Sequence, residues 1–117
     1  MRIYIVALQN TFDTGLSTLL DTFSVANELA ASSKALTTRF DVTIVGVRSR
    51  VTTSHGLSIP ARRATGLAHP DIALVPAVGA KMPDTLSRLL DQREIVDAQS
   101  LLRHWFQRGT MLGAACT

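Results

Sequence analysis

Apolar and polar positions along this chain switch repeatedly between the two-residue period of a strand and the three-to-four-residue period of a helix. Arg2 to Leu8 is a near-continuous apolar and β-branched run, the pattern of a strand buried on both faces of a parallel sheet. Leu16, Leu19, Leu20, Phe23, Ala26 and Ala30 then recur three and four residues apart. This spacing predicts a helix from about Gly15 to Ala31, with Asp13 or Thr14 available to cap it. After the polar break Ser32-Ser33-Lys34, Phe40 to Val47 reads as a second strand. Between Arg48 and Ala61, Val51 and Thr53 alternate on one side of Ser54-His55-Gly56, and Leu57 and Ile59 on the other, which predicts a small hairpin. Pro70-Asp71 introduces a third buried strand, Ile72 to Pro76, which the proline ends.

The second half repeats the alternation. Pro83-Asp84 opens a short helix through Leu90, and Asp91-Gln92-Arg93-Glu94 has the spacing of a capping box. The helix that follows, Gln92 to Arg108, places Ile95, Ala98, Leu102 and Trp105 on one buried face, with Gly109 as its left-handed cap. A last strand, Thr110 to Ala115, leads into Cys116. Strands alternating with crossover helices predict an α/β fold: a flavodoxin-like, doubly wound, mostly parallel sheet with helices on both faces. No internal repeat or low-complexity segment interrupts it.

The run Thr110-Met111-Leu112-Gly113-Ala114-Ala115-Cys116-Thr117 is a short strand of small residues that delivers the only cysteine at a sharp turn. In open α/β sheets such an elbow at the carboxyl edge presents a residue to a pocket and is followed by a helix. The sequence ends before that helix, so the expectation is a domain truncated on its C-terminal side. The turns Gln9 to Gly15 and Ala77 to Gly79 are expected beside Cys116. At 117 residues, 46% apolar and 18% charged, the chain has the size and composition of one ordinary globular domain. Met1 to Leu8 is cut short by Gln9-Asn10 without a cleavage signature, and no run reaches the roughly 18 apolar residues of a membrane span. A single cysteine makes no internal disulfide, which points to a reducing cytoplasm. The net charge of +3 is mild; Arg48, Arg50, Arg62 and Arg63, with no aromatic residues interleaved, read as solvated loops rather than a nucleic-acid patch. His55, His69 and His104 lack metal-ligand spacing, and Trp105 sits at a core position of its helix.

Several segments together carry a family resemblance: Ile3 to Leu8, Leu20-Asp21-Thr22-Phe23-Ser24-Val25-Ala26-Asn27, Phe40 to Val45, Val51 to Ile59, Ile72-Ala73-Leu74-Val75-Pro76 and Cys116-Thr117. In this order they resemble the N-terminal sensor domain of AraC-type transcriptional regulators, in the branch with a PfpI-like, class I glutamine amidotransferase-like fold. The resemblance spans the whole chain. It implies a small-molecule-sensing and dimerisation domain that controls a C-terminal helix-turn-helix DNA-binding domain absent from these residues. It further implies a homodimer, no membrane, DNA contact only through the missing domain, and an effector such as an amino acid or other small nitrogen compound.

Catalysis by Cys116 would require a lowered thiol pKa, a general base and an oxyanion hole. The sequence departs from the enzymes of this superfamily at each point. Thr117 stands where PfpI-like proteases have a histidine, and the carboxylate at the start of their first helix falls on Gly15, two residues from Asp13. Their Val-Pro-Gly-Gly turn reads Val75-Pro76-Ala77-Val78-Gly79, and a β-branched Val78 resists positive φ. Cys116 is a small buried hydrophobe, a pocket wall or a nucleophile, and Asp13 a helix cap or a pocket residue. The reading is a non-catalytic sensor with Asp13, Gly15, Ala77, Val78, Gly79, Cys116 and Thr117 as pocket residues, no catalytic residues, no metal and no cofactor. The alternatives are a cysteine-dependent hydrolase, glyoxalase-like or chaperone-like enzyme, and a catalytically dead interaction module.

Overall fold

The computed structural model describes residues 1–115. In chain order the elements are β1 (Arg2–Val6), α1 (Asp13–Ser32), β2 (Asp41–Gly46), β3 (Arg50–Thr52), β4 (Ser58–Pro60), β5 (Arg62–Arg63), β6 (Ile72–Val75), α2 (Pro83–Leu90), α3 (Arg93–Gln107) and β7 (Met111–Ala114). Five strands form one sheet in the order β5-β2-β1-β6-β7, and every neighbouring pair is parallel. The four long runs expected as parallel neighbours are so, and β3 pairs with β4 as the antiparallel hairpin around Gly56. The two-residue β5 carries too little pattern to be found from sequence.

Alternation along β1 divides the core. Tyr4 and Val6 point to the face covered by α2 and α3, where they cluster with Ala73, Leu89, Ile95, Ala98 and Trp105. Tyr4 and Trp105 meet edge-on, centroids 5.5 Å apart, an arrangement that adds about 1 kcal/mol to the burial itself. Ile3 and Ile5, fully buried, point to the opposite face, the side covered by α1. The doubly wound architecture with helices on both faces is therefore as expected.

Two helix starts differ from the sequence reading. The N-cap of α1 is Phe12, with no side-chain cap bond; neither Asp13 nor Thr14 caps it, because Asp13 turns toward the hairpin. The capping box at Asp91–Glu94 does not form either: Gln92 is the N-cap of α3 and Asp91 closes α2. Glu94 instead points inward, where it accepts the Gln9 N–H at 3.0 Å and stands 3.9 Å from the Arg48 guanidinium. Tying down the loop after β1 displaces the local cap. The C-terminus of α3 follows expectation: Gly109 takes φ 95° and donates to Phe106 O, while the Thr110 N–H donates to Trp105 O. That pair of bonds is a Schellman cap.

Asn27 shows why the segment around α1 reads as a motif. Its side-chain amide donates to Phe40 O and accepts from Phe40 N–H, both at 2.8 Å. The helix thereby holds the chain at the entrance to β2, with Phe23 packed on Phe40. Among the described residues no helix is long and apolar enough to cross a membrane.

Candidate functional site

Strand order reverses around β1, with β2 on one side and β6 on the other, and in open α/β sheets ligands collect at the carboxyl ends flanking such a reversal. The loops after β1 and β6 meet there. Phe12 N–H donates to Ala77 O at 2.8 Å and Gly79 N–H to Asn10 O at 2.7 Å, so that Thr11 and Val78 face each other in an isolated antiparallel bridge. The hairpin joins from the side through Asn10 N–H to Thr52 O and Ser54 N–H to Thr11 O. Asn10 has φ 68°, the only positive φ of a non-glycine among the described residues. Gly79 sits in a tight spot: a Cβ there would lie 3.0 Å from the Asn10 side chain and from Ser54 Cβ.

The two expected turns thus lie side by side, but the bridge closes the crevice between them. Ala77 and Val78 are buried, with Val78 in the core cluster. Gly79 spends its N–H on Asn10. No residue of the turn Ala77 to Gly79 has a positive φ.

Asp13 is likewise committed elsewhere. Its carboxylate accepts the Thr53 hydroxyl at 2.5 Å, the Ser54 hydroxyl at 3.0 Å and the His55 N–H at 3.2 Å, and lies 2.8 Å from His55 Nδ1. The Thr53 hydroxyl foremost, with His55 and Ser54 behind it, holds the Asp13 carboxyl well below the usual carboxylate range against the opposing effect of burial. Asp, His and Ser come together here, yet not as a catalytic relay. The serine hydroxyl donates to the carboxylate rather than to the imidazole, so no base is placed to activate it. The constellation fastens the hairpin turn to the start of α1. Sequence reasoning missed Thr53 and Ser54, whose only signal was hydroxyl side chains next to a turn.

The open cavity lies one strand further along the same edge. A cleft of about 490 Å³ runs between α1, which contributes Gly15, Thr18 and Leu19, and the β6–β7 edge, which contributes Leu74, Val75, Gly113, Ala114 and Ala115. Small residues make the space. A Cβ on Gly113 would come within 2.8 Å of Leu74 Cδ2, and one on Gly15 would touch Phe12 and Pro76 at 3.7 and 3.9 Å. The parallel ladder continues past β7, with Ala115 N–H donating to Val75 O at 3.0 Å. No acid, base or cation lines the cleft among the described residues; it suits an apolar body. Of the expected pocket residues, Gly15 lines it. Asp13, Ala77, Val78 and Gly79 surround its neighbourhood without lining it, and Cys116 and Thr117 lie outside the described residues. No three His, Cys, Asp or Glu side chains among the described residues group as metal ligands.

Solved structures share this backbone. An AraC family transcriptional regulator from Pseudomonas putida is 24% identical with a TM-score of 0.65, over 97% of this chain and 62% of that one. A candidate transcriptional regulator from Vibrio parahaemolyticus is 16% identical with a TM-score of 0.71, over 97% of this chain and 55% of that one. Oxidised DJ-1 of Toxoplasma gondii is 15% identical with a TM-score of 0.63, over 98% of this chain and 55% of that one. The chain spans 55% to 62% of these structures, and its fold is the flavodoxin-like fold of DJ-1 and PfpI-like proteins. No protein-family model matches the chain, and no curated protein matches it by sequence.

Proposed function

We propose that the chain is the effector-sensing part of a transcriptional regulator of AraC type, acting with a helix-turn-helix domain that carries the DNA contacts. The observation that carries this reading is the chemistry of the carboxyl-edge cleft. Among the described residues it offers volume and apolar surface but no charged group, and the Asp13 carboxylate is engaged by the hairpin. Such a lining suits holding a ligand by its apolar part. The fold shared with an AraC family regulator supports the same reading. An amino acid or other small nitrogen compound would lay its aliphatic part in the cleft, and tighter binding to one of two arrangements of a homodimer would transmit the signal.

DNA recognition falls outside residues 1–117. The solvent side of α3 mixes Asp97 with Arg93, which pair at 3.1 Å, and its exposed Arg103 stands beside the apolar Phe106. A helix balanced in this way attracts phosphates weakly. Electrophoretic retardation checks the division of labour. The 117-residue chain is expected to show weak, salt-sensitive and sequence-independent association, and the regulator containing it to bind a defined operator. Sequence-specific retardation by the chain alone at physiological salt overturns it.

Likeness to DJ-1 favours a second reading, a cysteine-dependent enzyme. Peptidase, amidase and glyoxalase assays of the protein with Cys116 and with Cys116→Ser separate the two. The sensor reading expects no turnover from either and unchanged regulation, whereas turnover abolished by Cys116→Ser selects the enzyme.

A further inference from the structure

At the opposite edge of the sheet, where the strands begin, a second cleft of about 440 Å³ opens between the segment 64–69 and the last turns of α3. Its wall is pinned where the segment approaches β6. The Tyr4 hydroxyl donates to Ala68 O at 2.9 Å, the Arg2 guanidinium to His69 O at 3.3 Å, and the Thr110 hydroxyl to Pro70 O at 2.7 Å. The wall starts in a turn closed by Leu67 N–H to Ala64 O, with Gly66 at φ 83°. A wall tied in this way is preformed, and a ligand entering beside it meets little ordering cost.

The cleft has an apolar body and a rim of one guanidinium and two imidazoles. Leu67 and Leu101 supply the body, beside the buried Trp105, and His69, His104 and Arg108 the rim. No carboxylate lines it, and the ion pairs among the described residues, Arg48–Glu94, His55–Asp13 and Arg93–Asp97, involve none of the rim groups. Arg108 also sits at the carbonyl end of α3, which carries only about half an elementary charge. Offsetting that end leaves cationic capacity unused. It also does not account for His69, which reaches the same cleft from a different segment.

We propose that this cleft binds a small carboxylate with an apolar body, its carboxylate held by the fork of Arg108 beside the two imidazoles and its body against Leu67 and Leu101. The site stands apart from the effector cleft, and its occupation does not depend on the regulatory reading.

Trp105, the only tryptophan of the chain, borders the cleft from the core, so its fluorescence reports on the site. The full chain is titrated with benzoate, with benzyl alcohol as the uncharged counterpart, and with inorganic phosphate as an anion without a body. The expected result is a saturable change with benzoate alone, and amide chemical-shift changes on residues 64–69. Arg108→Gln weakens benzoate about tenfold, the scale of one charge-assisted hydrogen bond, and His104→Gln weakens it in the same direction. Arg103→Gln, on the same helix but outside the cleft, leaves it unchanged. Neither rim variant removes a side-chain hydrogen bond or a backbone bond of the Schellman cap, and circular dichroism confirms that each folds. The proposal is overturned by an equal response to benzyl alcohol, by phosphate binding as tightly as benzoate, by benzoate binding that survives both rim variants, or by no saturable response.

Discussion

Asp13 is where a single residue decides most. The sequence offered it two roles, cap or pocket residue, and it takes a third, because three consecutive residues of the hairpin present hydroxyl, imidazole and backbone donors to it. That choice was invisible in the sequence: forty positions separate Asp13 from Thr53, and no local pattern brings them together. A carboxyl held below its ordinary range binds its proton less readily folded than unfolded. The stability it contributes is therefore complete at neutral pH and is lost as pH falls below about 4, where the unfolded chain takes up the proton first. Urea denaturation should show Asp13→Asn less stable than the parent chain at pH 7. Its deficit should shrink by pH 3; a deficit that stays constant across that range contradicts the role assigned to the carboxylate.

At the scale of elements, period and punctuation made strands and helices legible, whereas caps involving distant partners were not. Gly109 was found from its place after the last apolar position of α3, and it takes the left-handed conformation a Schellman cap requires. Gly109→Ala is expected to lower stability by about 1 kcal/mol, measured by the denaturation midpoint, since the backbone bonds remain while an alanine is strained at that φ. The Asp91–Glu94 box misled for the opposite reason. Glu94 has a better partner in the Gln9 N–H, contributed by a loop 85 residues away in the chain. Likewise, the two turns of the candidate site were placed correctly, but the Thr11–Val78 bridge that seals them depends on pairing no sequence period announces. Of the expected pocket residues among those described, Gly15 lines the open cleft one strand further along.

Across the whole molecule the two sheet edges differ. β5 is guarded by the exposed Arg62 and Arg63, the usual protection of an edge, whereas β7 ends the sheet with Met-Leu-Gly-Ala and no charge. Met111 is 66% exposed, and Phe106 of the adjoining α3 is 64% exposed. The 117-residue chain should therefore self-associate through this edge. Sedimentation should show concentration-dependent growth that Met111→Lys with Phe106→Glu suppresses; a parent chain that stays monomeric at high concentration contradicts the expectation. The same edge borders the effector cleft, so the account depends most on what that cleft binds. The direct measurement is amide chemical-shift mapping of the chain titrated with a panel of amino acids and small nitrogen compounds. The account predicts that a binding compound gives saturable shifts centred on Gly15, Thr18, Leu74 and Gly113; a bound effector whose shifts fall away from the β6–β7 edge contradicts it.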